Sequence, residues 1–504
     1  MNKTTKKIDW KIVLIWLFPV LFLIDDILGL NGYQFTVGGI GIRILLFCIT
    51  TVVLFSYCLL VAYKEKMSIF KRKTGEKFFF DYIKPLDYIV AGFLCLNFVW
   101  ATVVPMVVRG ETSFGIKDFS TILVLILYFP IVFLMRTGRI EYKKFEKIIY
   151  FLLILLAFWH SVMYIGETIH TGFYESYYDF IDIISFGTAV RTDVVLGFGI
   201  TRIVQVTSPM LLLGGALSAK YVVKGKYWNL IPLAVFLYAI CITYTKSIWL
   251  GYATGIAIYL IGSLFVRSNK THKYRLASVI CFMISVTVAL NYVAFNNTIF
   301  QRLINSAPSA NSTTEMQKVQ DLYEKLNEIN EHDSDGDELN EDSQKEKEKL
   351  LSEIKEKENA IKDIEGTKSA NEQRQKQTGA LLNKWKQSKW VGFGYGAYAE
   401  DCIRNETAPY MYESVFPAMM MKLGLVGLIP WVILIIAAIV TAVTNFWKKD
   451  KKTLLWWVGM SVAFGMAVQT NPFLFTFSGF SMILFILTFI NTNSEIECEE
   501  KSDM

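Results

Sequence analysis

Four charged side chains are placed where charge could do chemistry beside a lipid surface: Arg202, Lys246, Arg374 and Glu413. Arg202 stands in GITRIVQVTSPMLLLGGAL, at one end of an apolar run. A guanidinium there can grip a phosphate through a forked pair of hydrogen bonds in a low-dielectric setting. It can equally snorkel to the interface as an anchor. Lys246 lies in TYTKSIWLG, a tight turn between two apolar runs, as a second cation or a second anchor. Arg374 opens a polar stretch that reaches Trp385 and then the glycines Gly392, Gly394 and Gly396. Such glycines allow a tight turn and close backbone approach. They do not follow a strand and open a helix, as a dinucleotide loop would. Glu413 lies in YMYESVFPAMMMKLGLVGL, at the point of entry into an apolar helix. A carboxylate about to enter a bilayer is costly unless it is functional or paired. It is therefore either a general base towards a hydroxyl or half of a salt bridge.

These residues need elements to hold them. The chain has 504 residues, 53% of them hydrophobic, and a mean hydropathy of +0.37. The apolar excess is gathered in runs of about 20 residues, the length that crosses a hydrocarbon core. The fold class expected is an all-α polytopic membrane protein. Crossing segments are placed at about 10–30, 37–63, 88–108, 119–135, 148–169, 202–220, 228–244, 248–266, 276–295, 424–446, 454–468 and 474–490. With these twelve, the Lys/Arg clusters at 64–84, 136–147, 224–226, 267–275 and 448–452 share one face. By the positive-inside rule that face is cytoplasmic, both termini lie there, and the net charge of +6 reports orientation rather than nucleic-acid binding. The domains follow: 1–295 with nine crossings, a large extracytoplasmic loop at 296–423, three more crossings at 424–491, and a tail at 492–504. The basic start at 1–11 runs into a long apolar segment without a small-residue cleavage site, so it reads as a retained first crossing.

Within the large loop, 313–373 is rich in Glu, Lys, Asn and Gln. Val319, Leu322, Leu326 and Ile329 step at heptad spacing, as do Leu350, Ile354, Lys357, Ile361 and Ile364. Two such runs predict a coiled-coil hairpin, a spacer or docking arm. Asp333, Asp335 and Asp337 imitate the start of a calcium loop. Glu338 stands where that loop needs glycine, so a solvated turn is the better reading. The seven cysteines show neither paired nor metal-type spacing. No metal and no cofactor is expected.

Three pieces in this order resemble the Wzy/O-antigen ligase-like superfamily of polysaccharide polymerases and ligases. They are Arg202 to Pro209 opening a middle crossing, the turn carrying Thr243, Thr245, Lys246, Ser247, Trp249 and Gly251, and the outer loop ending in Arg374, Trp385, the glycines, Glu413, Gly424 and Gly427. Lys246 replaces the Arg of many relatives, and Glu413 stands where ligases carry His. The resemblance implies a GT-C-like, metal-independent glycosyltransferase of the bacterial cell membrane. Its donor would be a glycan on undecaprenyl diphosphate and its acceptor a second glycan. Arg202, Lys246 and Arg374 would stabilise the departing diphosphate, and Glu413 would accept the acceptor proton. Trp385, Trp390, Tyr410 and Tyr412 would line a sugar groove floored by Gly394 and Gly396, although aromatics also form interfacial belts. In this reading the 313–373 hairpin would dock other polysaccharide-assembly membrane proteins; a ligase and a lipid-linked oligosaccharide flippase are the alternatives, and a structural or sensory membrane protein with the hairpin as its partner arm is a third.

Overall fold

The computed structural model describes residues 40–68, 79–170, 207–266, 269–304, 312–333 and 341–502, save positions 296, 404, 405, 407, 448 and 470, together with positions 17, 36, 37, 172, 173, 176, 177 and 179. The expected first crossing, most of the loop at 170–200, Arg202 and the acidic turn at 334–340 lie outside them. A two-residue antiparallel ladder, β1 (Thr36–Val37) with β2 (Ile40–Gly41), precedes a chain that is otherwise helical among the described residues.

The helices are α1 (Ile42–Lys64), α2 (Pro85–Arg109), α3 (Ser113–Ser120), α4 (Tyr128–Arg136), α5 (Tyr142–Ile169), α6 (Met210–Val223), α7 (Leu230–Cys241) and α8 (Lys246–Phe265). There follow α9 (Lys270–Ala289), α10 (Thr298–Ile304), α11 (Ser312–Asp333), α12 (Glu341–Gln387), α13 (Val415–Phe446), α14 (Lys451–Val468) and α15 (Phe477–Ser502). Six described helices are long and apolar enough to cross a membrane, and a seventh crossing is made if the bent pair Ser113–Ser120 and Ile122–Arg136 counts as one. The remaining expected crossings fall on shorter apolar helices, Met210–Val223, Tyr227–Cys241 and Phe477–Thr492, and on α14. The chain is an all-α membrane protein. In α1 only 17% of the apolar window is buried by protein, as suits a helix whose apolar side chains face a hydrocarbon core.

Two compact units divide the chain. The larger holds Met1–Val194, Ile203–Met283 and Gln377–Met504. Within it α2 starts on Pro85, where a missing N–H costs nothing, and the Lys84 amide donates to the Asp87 carboxylate at 2.8 Å. The helix stops at Gly110, which takes the left-handed conformation at φ 74°. The chain then returns through α3 and, after a 47° bend, α4. Arg136 at the end of α4 pairs with Asp87, which also accepts from Tyr128 Oη at 2.6 Å and Asn491 Nδ2 at 2.8 Å. A second buried pair, Lys220 to Glu146 at 2.8 Å, is completed by the hydroxyls of Tyr142 and Tyr221. Every carboxylate oxygen in both pairs has a partner, which is what makes a buried charge tolerable.

Helices α8 and α14 pack through small residues spaced four apart, Gly251 and Gly255 against Gly459 and Ala463. A methyl on Gly251 would come 2.6 Å from the Ala463 carbonyl oxygen, and one on Gly255 2.7 Å from Ala463 Cβ. Without a hydrophobic drive between helices in lipid, such close approach supplies the packing attraction. Ser247 Oγ donates to the Ala467 carbonyl at 3.3 Å and receives Asn471 Nδ2 at 3.1 Å, fastening one end of the pair.

The smaller unit holds Val195–Arg202 and Ile284–Lys376. Its α11 meets the first part of α12 through Leu322, Leu326 and Ile354, with Leu350 packed alongside. Tyr323 Oη donates to Glu358 at 2.9 Å across the seam.

The α8–α14 crossing generates a test. Gly255→Leu overpacks a contact with no room to relax and is expected to destabilise the protein by about 1–3 kcal/mol. Ser278→Leu on the exposed face of α9 serves as the control. Thermal unfolding in detergent micelles separates them, and equal melting temperatures would contradict the packing account.

Candidate functional site

Helix α13 is broken. Gly424 sits at φ 60° and ψ −173°, a conformation closed to residues with a Cβ, and splits the helix into two segments. A break inside an apolar helix exposes carbonyls from the first segment and amides from the second, and lipid satisfies neither. The stretch at 389–394 supplies both. Phe393 N donates to the Met421 carbonyl at 3.0 Å and Gly394 N to that of Lys422 at 2.8 Å. In return Leu425 N donates to the Lys389 carbonyl and Val426 N to that of Trp390, each at 2.9 Å. Trp100 Nε1, from α2, donates to the Leu423 carbonyl at 3.0 Å and the Val391 carbonyl at 2.9 Å.

This lock explains the glycines. Gly392, Gly394 and Gly396 all have positive φ, at 72°, 80° and 74°. A Cβ on Gly392 would meet Gly424 N at 2.5 Å, and one on Gly394 the Pro105 ring at 2.5 Å. A Cβ on Gly396 would run into the backbone of Phe114 and Gly115. The space beside Gly392 and Gly396 is taken by backbone and that beside Gly394 by the Pro105 ring.

Beneath the lock lies a third buried ion pair. Lys422 Nζ is 2.6 Å from Asp118 Oδ2, with each side chain 2% exposed. The same carboxylate accepts from Gly396 N at 2.9 Å. Arg109, at the end of α2, donates to the carbonyls of Tyr395 at 2.8 Å and Gly396 at 3.1 Å. Tyr395 is fully buried; its N–H donates to the Trp100 carbonyl at 2.9 Å and its hydroxyl to Asn97 Oδ1 at 2.5 Å. Trp431 Nε1 reaches the same Asn97 oxygen at 3.2 Å. The Lys422 ammonium also lies 4.9 Å from the centre of the Phe475 ring and 5.5 Å from that of Tyr410, within cation–π range.

Around this centre the structure gathers several of the expected residues. Tyr410 faces Lys422 and the Phe114 ring, 5.8 Å between centroids. Tyr412 is buried, and its oxygen accepts from Ala399 N at 2.6 Å. Trp385 packs on the cluster of Leu381, Ala397, Tyr412 and Met421. Trp390 is 68% exposed. Glu413 is half-buried immediately before α13. Its neighbour Ser414 is pinned to the last turns of α12, with Ser414 N donating to Gln377 Oε1 at 3.0 Å and the Ser414 and Thr378 hydroxyls 2.9 Å apart. Lys246 is the first, half-buried residue of α8. Arg374 lies in the smaller unit, on α12, half-buried and 3.5 Å from Asn371 Oδ1. Among the described residues no three His, Cys, Asp or Glu side chains gather as a metal ion would require.

Sequence reasoning missed Asn97, Arg109, Asp118 and Lys422. A signal existed: Asp118 and Lys422 each sit next to long apolar runs, where an ionisable group needs a partner. The pairing across about 300 residues was not visible.

Burial pushes the hydroxyls of Tyr410 and Tyr412 up to about 12, and for Tyr410 the Asp118 charge adds to it. Both are neutral phenols across the physiological range. In the unfolded chain they would titrate near 10. Their contribution to stability is therefore complete below about pH 10 and falls as pH rises through about 12.

No protein-family model, curated protein or solved structure matches the chain.

The ion pair generates the next test. Asp118→Asn leaves a buried ammonium uncompensated and is expected to cost about 3–5 kcal/mol, whereas Asp118→Asn with Lys422→Met recovers much of that loss. A double-mutant cycle on thermal unfolding measures the coupling, and additive losses would show the pair to be unimportant. The tyrosines give a second: phenolate absorbance of the Tyr410→Phe and Tyr412→Phe proteins, subtracted from wild type, should place both hydroxyls near 12. A difference titrating at 10 would mean that both rings are hydrated.

Proposed function

We propose that the protein is a polymerase that joins glycan repeat units carried on undecaprenyl diphosphate, on the outer face of the cell membrane. The reading rests on the resemblance of Arg202–Pro209, the Lys246 turn and the Arg374–Gly427 stretch to polysaccharide polymerases and ligases. The single structural observation that supports it best is the lock itself. Residues 389–396 are bonded to the broken helix α13 and to α2, and Tyr412 and Ser414, on either side of Glu413, are bonded to Ala399 and Gln377. Rigid support of this kind is what a positioned reacting group requires.

Position along α2 agrees with an outer-face site. Asp87, near the start of α2, is paired at the end of the bundle flanked by the basic clusters at 64–84 and 136–147. Arg109 closes the other end of the same 25-residue helix, roughly 35 Å away at 1.5 Å per residue. On the twelve-crossing topology the basic end is cytoplasmic and the Arg109 end extracytoplasmic.

In the proposed reaction Glu413 takes the proton of the acceptor hydroxyl as its oxygen attacks the anomeric carbon. The anomeric carbon–oxygen bond to the lipid diphosphate breaks, and Arg202, Lys246 and Arg374 are the cations that the resemblance assigns to the leaving anion. Lys422 is not placed among these cations, because Asp118 already neutralises it. Tyr410 and Trp390 are the aromatic faces offered to sugar rings.

One observation favours a second reading. Three buried ion pairs occur within the helical unit, and buried charge also marks transport pathways. A flippase for the same lipid-linked glycan would use them as alternating contacts.

Glu413→Gln and Arg374→Ala strains decide between these readings when surface polysaccharide is resolved as a size ladder. Collapse to single repeat units on lipid at the outer face, with protein levels unchanged, is expected. Long polymer detached from its anchor identifies a ligase, accumulation of lipid-linked repeats on the inner face a flippase, and an unchanged ladder overturns the site assignment.

A further inference from the structure

At the basic end of the larger unit, far from the lock, a cavity of about 210 Å³ opens between α2, α4 and the turn before α2. One wall is a single stripe of α4, with Phe129, Val132, Phe133 and Arg136 at helical spacing. The facing wall is Tyr88 and Ala91 of α2, and Phe79 and Tyr82 close one side. The rings of Phe79 and Phe133 stack tilted at 5.3 Å, which fixes the roof. The cavity exceeds the roughly 150 Å³ that a dry apolar void needs to hold benzene.

Its floor is not apolar. Arg136 lines it and is nearly inaccessible, its side chain 4% exposed. Its Nη atoms are occupied by Asp87 and the Tyr82 carbonyl, but its Nε is buried without a hydrogen-bond partner among the described residues. A buried N–H in that state lacks an acceptor. The void is an apolar slot beside the buried Asp87–Arg136 pair.

The surroundings identify the occupant. The cavity spans the first turns of one membrane helix and the last turns of another, so it lies at the boundary where lipid chains meet headgroups. The flanking sequence 64–84 carries seven Lys/Arg against three Asp/Glu, and 136–147 carries five against two. Two basic segments at one boundary attract anionic headgroups.

We propose that this cavity binds one acyl chain of an anionic phospholipid whose headgroup lies at the end of the bundle marked by Lys64, Lys66, Lys84 and the basic stretch 136–147. Bound there, the lipid would seal α2 to α4 at the end where Arg136 joins them.

The test uses full-length protein in nanodiscs containing phosphatidylglycerol or phosphatidylcholine with a diazirine in the acyl chain. Photolabelling mapped by peptide mass spectrometry is expected on Tyr88–Ala91 and Phe129–Phe133. With several net positive charges contributing, phosphatidylglycerol should label more than about ten-fold above phosphatidylcholine. Ala91→Phe, which fills the slot, should abolish that labelling while leaving labels on the lipid-facing side of α1. Should Ala91→Phe fail to fold, the wild-type map alone decides. Equal labelling by both lipids, labels confined to α1, or no label on α2 and α4 would overturn the site.

Discussion

The break in α13 at Gly424 is the constraint on which the rest of the larger unit depends. Lipid offers no hydrogen bonds, so an unwound turn within an apolar helix must find all of its partners in protein. The partners come from 389–394 and from the Trp100 indole of α2. The requirement runs both ways. The broken helix orders the Gly-rich stretch, and the Gly-rich stretch makes the break tolerable. Glycine at 392, 394, 396 and 424 follows from the same close approach, since each would place a Cβ against backbone or the Pro105 ring.

The buried ion pair of Asp118 and Lys422 belongs to this lock rather than to an open site. Asp118 is shared between a cation and the Gly396 amide, and Arg109 holds the carbonyls on either side of that amide. Taken together these contacts tie α2, α3, α13 and the 395–396 backbone at one end of the bundle. At the opposite end of α2 the Asp87–Arg136 network repeats the device with Tyr128 and Asn491. The hairpin of α2 with α3 and α4 is thus joined by charge at its Asp87–Arg136 end, while at the other end Asp118 ties α3 to α13. Replacing such pairs by apolar residues is often tolerated thermodynamically, so their value here is in fixing register between helices.

Glu413, the base of the proposed reaction, is set apart from this framework. Glu413 follows Tyr412, whose ring is locked under Ala399, and precedes Ser414, which is bound to Gln377 and Thr378. A half-buried carboxylate between two fastened neighbours has little backbone freedom. The aromatic residues divide in the same way: Tyr412 and Trp385 serve the core, while Tyr410 and Trp390 retain exposed surface.

By itself the sequence determined that the chain is helical and membrane-embedded, because apolar runs of crossing length leave no other way to satisfy the backbone. Heptad spacing of Leu322, Leu326, Leu350 and Ile354 marked the two helices that now meet through those residues. The importance of Gly392, Gly394 and Gly396 was legible as well, since three glycines at alternate positions signal a special backbone. What they approach was not legible. Nothing local distinguishes a ligand from the carbonyls of a broken helix, although the expected boundary between the loop at 296–423 and the crossing at 424–446 falls on the break. The partners of Asp118 and Lys422 were likewise invisible, because pairing across so long a stretch of chain depends on how α3 and α13 are brought together. Periodicity and composition act within one segment. Which segments share a buried charge, or complete one another's hydrogen bonds, is decided only by tertiary packing.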